Sequence, residues 1–206
     1  MRSDDGTVIG PGQYIGVAER EGMVSAIDNM LLFRYVQLIR RTQRRSCDTA
    51  FFCNISRESL ADTSFIGYFV DFVSENPDLA PKLFFEFGQA DIETAPPATI
   101  GNLARLADLG FRFSLDQVTN LNLDIQGLSA KNFRFVKVDA DFLLSPQQGG
   151  SGDIARQDIK SMLDRDGLDL IVEKVENEKQ VVELLDYQID GGQGYLFGEL
   201  RLSRND

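Results

Sequence analysis

The chain has 206 residues, 43% of them hydrophobic and 26% charged, and a formal net charge of −11. A chain of this length buries a substantial core and predicts one domain over residues 1–206, while its negative charge argues against binding to a nucleic-acid polymer, which needs a basic surface. Because the sequence contains no histidine, Ser-His-Asp catalysis, Cys-His catalysis and His-ligated zinc are excluded.

The N-terminal part of the chain predicts a loop and then a long helix. Met1–Tyr14 is polar and rich in Gly and Pro, which is typical of turns. Apolar residues recur at helical spacing over Met23–Arg45 and predict a helix. This helix ends in RRTQRR. We interpret the arginines as a solvated helix end, with a basic patch for a partner as the alternative.

From residue 49 onwards, predicted strands and helices alternate. The strands are predicted over Thr49–Asn54, Lys82–Phe87, Phe111–Asp116, Phe133–Val138, Leu168–Glu173 and Ile189–Gln193. Helices are predicted within Arg57–Glu75, near Ala98–Leu109, at Ile154–Arg165 and near Glu178–Tyr187. The remaining stretches, Gln117–Leu128 and Gly149–Gly152, are predicted to be an irregular segment and a linker.

This alternation predicts an α/β fold with parallel βαβ units. The leading interpretation is a TIM-like (β/α)-barrel, with an open doubly wound sheet as the alternative. Six strands and 206 residues fall short of the roughly 250 residues of an eight-stranded barrel. The helix at Met23–Arg45 also has no strand before it. We therefore expect one or two N-terminal strands of the domain to be missing from this chain.

Polar side chains recur at the ends of the predicted strands, where a barrel places its ligand site. They are Asn54, Glu86, Asp116, Lys137, Glu173 and Gln193. Taken singly, each has a plainer interpretation as a surface group, a turn cap or a loop amide. Lys137 is the exception, because it is flanked by the apolar Phe135, Val136 and Val138, and a buried lysine requires an anion. The recurrence as a whole predicts a shared polar and anionic ligand site.

The oxygen donors in this set suit a hard divalent cation. Asn54, Glu86, Asp116 and Glu173 are the residual candidates for binding Mg²⁺ or Mn²⁺. Two such ions could clamp a phosphodiester and generate hydroxide from water. Bridging two ions usually requires adjacent carboxylates, however, and here Asp116 is followed by the neutral Gln117. Lys174, directly after Glu173, adds a positive charge that disfavours a metal.

In this order, these segments resemble the EAL domain of cyclic-di-GMP phosphodiesterases over essentially the whole chain. Asn54-Ile55-Ser56 is similar to the family's N-x-S, and Glu86–Gln89 to E-[IL]-T-E. Leu115–Asn120 lies where the family has L-D-D-F-G-[TS]-G. Lys137–Asp139 is similar to K-[IL]-D, Glu173–Glu176 to the end of A-E-G-V-E, and Gln193–Tyr195 to Q-G-Y. One such triplet would be weak support, whereas six in order are strong support.

The resemblance also implies which metal ligands are altered. In the family the metals are held by the EAL glutamate, the N-x-S asparagine, the first E-x-T-E glutamate, the paired aspartates and the first glutamate of E-G-V-E. Here the second aspartate is Gln117, the second glutamate of E-x-T-E is Gln89 and the glycine of E-G-V-E is Lys174. Arg2 looks like the arginine that follows the EAL triplet, which would place the EAL glutamate before residue 1.

The nucleotide-binding positions are better preserved than the metal positions. By resemblance, Arg2 would grip a phosphate and Asp28 would accept hydrogen bonds from a guanine edge. Lys174 could neutralise a phosphate in place of a metal. The full set of expected ligand-binding residues is Arg2, Asp28, Asn54, Glu86, Asp116, Lys137, Glu173, Lys174, Glu176 and Gln193.

The resemblance therefore predicts a catalytically inactive EAL domain that binds cyclic di-GMP as a receptor and requires no metal. Among inactive EAL proteins the pattern is most similar to the TipF-type receptors, which implies protein partners in flagellum assembly or motility control, and a homodimer is also open. Two alternatives remain. One is an active phosphodiesterase that uses Mg²⁺ or Mn²⁺. The other is a ligand-free interaction module, which is suggested by the altered sequence of the segment Gln117–Leu128.

The cysteine content and the hydropathy favour a cytosolic location. Cys47 and Cys53 are too few and too poorly spaced for a disulfide framework or a metal knuckle. The sequence shows neither a signal-peptide pattern nor an apolar run of about 20 residues. We expect a cytosolic domain, and a membrane anchor elsewhere in a longer parent protein remains open.

Overall fold

The computed structural model describes residues 11–145 and 152–198, with side chains described for residues 14–145 and 156–198. Arg2 and most of the two predicted loops, Met1–Tyr14 and Gly149–Gly152, lie outside these residues. Within the described residues, no helix combines the length and the apolar character that crossing a membrane requires.

Helices and strands alternate along most of the described chain. The helices are α1 (Pro11–Arg20), α2 (Val24–Arg44), α3 (Arg57–Ala61), α4 (Thr63–Ser74), α5 (Gln89–Glu93), α6 (Pro97–Asp108), α7 (Ile125–Ala130), α8 (Ala140–Leu144), α9 (Gly152–Arg165) and α10 (Glu178–Leu184). The strands are β1 (Phe51–Asn54), β2 (Leu83–Gly88), β3 (Arg112–Asp116), β4 (Phe133–Asp139), β5 (Asp169–Glu173) and β6 (Gly191–Gly192). Short 3-10 turns occur at Pro77–Lys82 and Leu185–Tyr187.

The six described strands form one sheet in chain order, from β1 to β6. β4 runs parallel to both β3 and β5, with Val136 opposite Leu170 and Asp139 opposite Glu173. β5 is likewise parallel to β6. A doubly wound sheet reverses its strand order at a switch point, and the described strands show no such reversal. The prediction of a TIM-like (β/α)-barrel fold is therefore confirmed, and the doubly wound alternative is wrong.

The chain divides into two compact units, and β2 contributes to both. The first unit comprises residues 1–85 and 95–111, and the second comprises residues 86–94 and 112–206. The boundary within β2 falls between Phe85 and Glu86. The expectation of a single domain over residues 1–206 stays a prediction.

Aromatic side chains form much of the core of the first unit. Phe85 stacks on Phe111 with 5.1 Å between ring centroids, and Phe69 from α4 meets Phe85 edge-on at 5.6 Å. The buried Asn102 of α6 donates a hydrogen bond of 2.9 Å to the carbonyl of Leu60 in α3. This bond satisfies a polar group that would otherwise be costly to bury.

The second unit has an aromatic core of its own, made by three neighbouring strands. The rings of Phe87 (β2), Phe113 (β3) and Phe133 (β4) contact one another, with centroids 5.7 Å apart for 87 and 113, 5.5 Å for 113 and 133, and 6.4 Å for 87 and 133. All three side chains are almost completely buried. Phenylalanines at these inward positions fix the register of the strands, because a slip of one residue would turn them to the other face.

Three local predictions are wrong. The predicted loop ends at Tyr14, but α1 already begins at Pro11, which favours a first helical turn because its φ is fixed. The predicted helical stretch is broken by Asp62, whose carboxylate caps α4 by accepting from the N–H groups of Ser64 and Phe65. The segment Gln117–Leu128 is not irregular throughout, because α7 begins within it at Ile125.

Candidate functional site

A buried lysine organises the predicted strand-end residues of the second unit. Lys137 of β4 is only 2% exposed, and its Nζ contacts the carboxylate of Glu86 in β2. The same Nζ lies 3.3 Å from Glu173 Oε1 in β5 and 3.2 Å from Gln193 Oε1. Three of the predicted residues, Glu86, Glu173 and Gln193, are thus brought together around a fourth, Lys137. The expectation that Lys137 needs an anion is confirmed, since it pairs with two.

Burial shifts the pKa values of the groups in this cluster. Burial raises the pKa of Glu86, although Lys137 opposes the shift. Burial and the nearby charge of Asp116 raise the pKa of Glu173 from 4.5 to about 7, again against Lys137. Burial alone would lower the pKa of Lys137, but its ion pairs with Glu86 and Glu173 raise it. At neutral pH the cluster therefore holds a firmly charged lysine and a Glu173 that is partly protonated.

Strands β3 and β5 end in the same way. Each ends in an acidic residue, and the next residue has backbone dihedral angles in the left-handed region. Gln117 has φ 53° and follows Asp116, while Lys174 has φ 56° and follows Glu173. The backbone N–H of Gln117 donates to Asp116 Oδ1 at 2.7 Å. Residues other than glycine rarely adopt this conformation, so both positions carry some backbone strain.

Lys174 presents its charge at the surface of the strand ends. Its Nζ lies 2.6 Å from Asp139 Oδ2, at the end of β4, and its side chain is 69% exposed. The hydrogen bond to Asp139 raises the pKa of Lys174, so the amine stays charged at neutral pH. An exposed ammonium held by one partner still has donors available for a ligand.

Gln89 anchors the segment that follows Gln117, a role that the sequence did not reveal. It is 2% exposed. Its Oε1 accepts from the N–H of Thr119 at 2.9 Å, and its Nε2 donates to the carbonyl of Asn120 at 3.3 Å and to Glu93 Oε1 at 2.7 Å. In the sequence this position showed only an amide where the family pattern has an acid. The interaction with a loop 30 residues away becomes visible only in the structure.

A pocket of about 320 Å³ adjoins Lys174 in the second unit. Its lining combines charged, amide and aromatic groups from Glu173, Lys174, Glu176, Gln193, Gly194, Tyr195 and Gly198. Four of these are expected ligand-binding residues. Gly194 is required here, because a Cβ at this position would lie 2.1 Å from the carbonyl oxygen of Val175.

Two other expected ligand-binding residues lie in the first unit. Asn54 is exposed at the end of β1. Asp28 is buried on α2, and its Oδ2 accepts a hydrogen bond of 2.9 Å from the N–H of Ser56. One carboxylate oxygen of Asp28 thus already supports the N-x-S turn. A larger cavity of about 380 Å³ in this unit contains neither residue.

Two lysines form ion pairs with acidic groups of the strand ends. Glu86 and Glu173 face Lys137, and Asp139 faces Lys174. Over the part of the chain that the structure describes, no group of three or more His, Cys, Asp or Glu side chains is arranged to hold a metal ion.

Comparison with known proteins identifies relatives for nearly the whole chain. The EAL domain family matches residues 1–199. The signaling protein YkoW of Bacillus subtilis is 25% identical over 200 residues, covering 94% of this chain and 24% of YkoW. The cyclic di-GMP phosphodiesterase NbdA of Pseudomonas aeruginosa is 28% identical over 198 residues, covering 92% of this chain and 24% of NbdA. The chain thus spans about a quarter of the length of these relatives.

Solved structures share the fold at lower sequence identity. The EAL domain of Xanthomonas citri FimX in complex with c-di-GMP gives a TM-score of 0.80 at 19% identity, covering 97% of this chain and 80% of that one. The PaMucR phosphodiesterase in its c-di-GMP complex gives 0.77 at 22% identity, with coverages of 93% and 84%. The fold, the order of the strand-end residues and the match over residues 1–199 agree, and the chain belongs to the EAL domain family.

Proposed function

We propose that this chain is a receptor that binds cyclic di-GMP and does not hydrolyse it. Two structures of similar fold, those of PaMucR and of Xanthomonas citri FimX, are c-di-GMP complexes. The pocket beside Lys174 lies at the strand ends, where barrels of this kind bind ligands, and its volume of about 320 Å³ is that of a small-molecule site.

The observation that carries this proposal is the position of Lys174. Its ammonium pairs with Asp139 at the strand ends, where the family pattern has a glycine with no side chain. A fixed cation beside the pocket attracts a phosphate and repels a divalent metal ion. The neutral Gln117 strengthens the argument, because an amide cannot bridge two cations as a second carboxylate would.

The remaining contacts follow from the chemistry of the pocket. We propose that Lys174 neutralises a ligand phosphate and that Gln193 and Glu176 offer hydrogen bonds to polar groups of the nucleotide. Tyr195, which is 61% exposed at the pocket, provides a ring on which a base can stack. Arg2 as a second phosphate contact, and Asp28 as a guanine contact, belong to the same proposal.

The wider biological role also belongs to this proposal. The resemblance to TipF-type receptors favours a cytosolic domain that passes the signal to protein partners, among them components of flagellum assembly. A receptor without turnover suits this role, because the bound nucleotide persists until it dissociates and the partner can respond to its concentration.

Calorimetric titration with cyclic di-GMP, once with EDTA and once with Mg²⁺ or Mn²⁺ in excess, tests the proposal. We expect micromolar or tighter binding in both buffers, and chromatography of the same samples should show no linear dinucleotide. The double variant Gln117→Asp with Lys174→Gly should make binding metal-dependent. An absence of binding in both buffers would contradict the receptor and favour the ligand-free interaction module.

The second candidate function is a metal-dependent phosphodiesterase. It is favoured by the relative NbdA, a cyclic di-GMP phosphodiesterase, and by the retained Glu86, Asp116 and Glu173. In that case wild-type protein with Mn²⁺ would convert cyclic di-GMP to the linear dinucleotide. Substituting Glu86→Gln should abolish this conversion, which separates it from a contaminating activity.

A further inference from the structure

Gln180, in the first turn of α10, connects two segments of the second unit at the pocket beside Lys174. Its Oε1 accepts hydrogen bonds from the backbone N–H of Glu176 at 2.8 Å and from that of Asn177 at 3.3 Å. Its Nε2 donates to Asp141 Oδ1, in α8, at 3.2 Å. Glu176 lines the pocket, and Gln180 is not one of its lining residues. Gln180 therefore acts on the pocket only through the segment that it holds.

Part of this arrangement is an ordinary helix start. Asn177 is the N-cap of α10, and its Oδ1 accepts from the backbone N–H of Gln180 at 3.0 Å. The return bond from the N–H of Asn177 to the side chain of Gln180 completes a capping box. A capping box requires neither the bond from Glu176 nor the bond to Asp141. These two bonds are additional, and they connect the cap to the pocket and to α8.

The backbone on the two sides of Glu176 is held by different partners. Val175, which precedes it, is fully buried, and its N–H donates to the carbonyl of Gln193 at 3.0 Å. This bond fixes the segment against the chain that leaves β6. After Val175 the chain turns into α10, and there the acceptor for the N–H of Glu176 is the side chain of Gln180. The position of Glu176 at the pocket therefore depends on that side chain.

The bond to Asp141 becomes more important when a ligand binds. In the proposed function Lys174 exchanges Asp139 for a ligand phosphate, which removes a cross-link between the segments that follow β4 and β5. The bond from Gln180 to Asp141 joins the same two segments and involves neither member of that ion pair. It can therefore hold the segment after β5 in place while Lys174 changes its partner.

We propose that Gln180 is a positioning residue of the pocket. It holds Glu176 towards the nucleotide by bonding to its backbone, and it anchors the segment after β5 to α8 through Asp141. This inference rests on the proposed function, since it takes cyclic di-GMP as the ligand. A segment that is already held in its binding conformation loses less conformational freedom when the ligand binds, which raises the affinity.

Calorimetric titration of the 206-residue chain with cyclic di-GMP tests this role. Gln180→Ala should raise the dissociation constant about fivefold to tenfold. Asp62→Ala is the matched control, because Asp62 caps α4 in the first unit by accepting from the N–H groups of Ser64 and Phe65. It should lower the urea midpoint at least as much as Gln180→Ala, yet leave the affinity unchanged. Wild-type affinity in Gln180→Ala, or equal losses of affinity in both variants, would overturn the proposal.

Exchanging the two bonded groups tests the bond between α10 and α8 directly. Gln180→Glu keeps an oxygen for the N–H groups of Glu176 and Asn177, but it places a carboxylate against Asp141 and should weaken binding. Adding Asp141→Asn supplies a donor from the other side and restores the net charge. The double variant should therefore bind within about twofold of wild type. A double variant that binds no better than Gln180→Glu alone would contradict the proposal.

Amide hydrogen exchange, followed by NMR without nucleotide, gives a readout that is independent of the receptor function. In Gln180→Ala the N–H groups of Glu176 and Asn177 lose their acceptor and should exchange about tenfold faster, whereas Asp62→Ala should leave them unchanged. If the wild-type chain binds no cyclic di-GMP, the receptor function fails, and this measurement still decides whether Gln180 positions Glu176. Unchanged exchange at Glu176 in Gln180→Ala would overturn the positioning role.

Discussion

Two lysines at neighbouring strand ends of the second unit differ in burial and in the role of their charge. Lys137 on β4 is 2% exposed and is held among Glu86, Glu173 and Gln193. Lys174 follows β5, has a side chain that is 69% exposed and forms an ion pair with Asp139. The first compensates buried carboxylates and stabilises the fold, whereas the second leaves its charge available at the pocket.

Residue type alone does not decide between a structural and a binding role for these two lysines. A buried ammonium must be matched by anions wherever it occurs, so the charge of Lys137 is already satisfied. An exposed ammonium in a single ion pair gains little from that pair, and it can exchange its partner for a ligand phosphate at small cost. Substitutions at the two lysines should therefore separate stability from binding.

The largest effect is expected for Lys137→Met. Removing the cation leaves the buried Glu86 and the half-buried Glu173 without compensation, which should lower the free energy of unfolding by about 3–5 kcal/mol. Urea denaturation measures this loss. Lys179→Met is the matched control, since Lys179 is exposed on α10 and pairs only with Glu183, and it should change stability by about 0.5 kcal/mol or less.

A second substitution sharpens the interpretation of Lys137. If the loss comes from uncompensated charge, Lys137→Met combined with Glu86→Gln should recover part of it, because the neutral amide no longer needs a cation. A double variant that is as unstable as the sum of its parts would instead indicate that packing around the lysine stem is responsible.

Much of the site could be predicted from the sequence, because a parallel sheet collects the ends of its strands. The residues Glu86, Lys137, Glu173 and Gln193 were identified by their recurrence at strand ends, and the structure brings the other three into contact with Lys137. The sequence also predicts that Lys137 pairs with an anion, because its neighbours in the chain are apolar. The sequence does not predict which carboxylates pair with it, since that depends on the register of the strands.

Other features could not be predicted, because they depend on conformation rather than on residue type. Gln117 and Lys174 adopt left-handed backbone angles that neither residue favours, so no glycine signals these turns. Gln89 was noted as a lost acid, while its four hydrogen bonds to Glu93 and the 119–120 backbone need the folded chain. The break between helices α3 and α4 at Asp62 could have been predicted from the sequence, since an aspartate before Thr-Ser is a good N-cap.

The stability of the fold should also depend on pH through Glu173, and this effect should be smaller than that of Lys137→Met. Its pKa is raised from 4.5 to about 7 by burial and by Asp116, so the folded state binds a proton more tightly than the unfolded state. The contribution of Glu173 to the free energy of unfolding should therefore be largest below about pH 4.5. It should fall by at most about 3 kcal/mol as the pH rises to about 7. The raised pKa of Glu86 acts in the same direction.

Thermal or urea unfolding at intervals between pH 5 and pH 8 measures this dependence. Glu173→Gln should make the profile shallower over this range, because the amide does not titrate and only the contribution of Glu86 remains of the two. Glu183→Gln is the control, since Glu183 lies in an exposed pair on α10 and should leave the slope unchanged. A wild-type stability that rises across this range would show that Glu173 is ionised in the folded state and that Lys137 outweighs its burial.

The smallest effect on stability, and the clearest effect on binding, is expected for Lys174→Gly. Glycine relieves the left-handed strain at φ 56° but gives up the exposed pair with Asp139 and adds freedom to the unfolded chain, so the free energy of unfolding should change by about 1 kcal/mol or less. Affinity for cyclic di-GMP in EDTA should nevertheless fall about tenfold, which is about 1.4 kcal/mol. Lys174→Arg, which keeps the charge, should bind within about threefold of wild type if the site needs a cation rather than a particular geometry. Wild-type affinity in Lys174→Gly would mean that this lysine, like Lys137, serves only its carboxylate partner, and the contrast between the two would disappear.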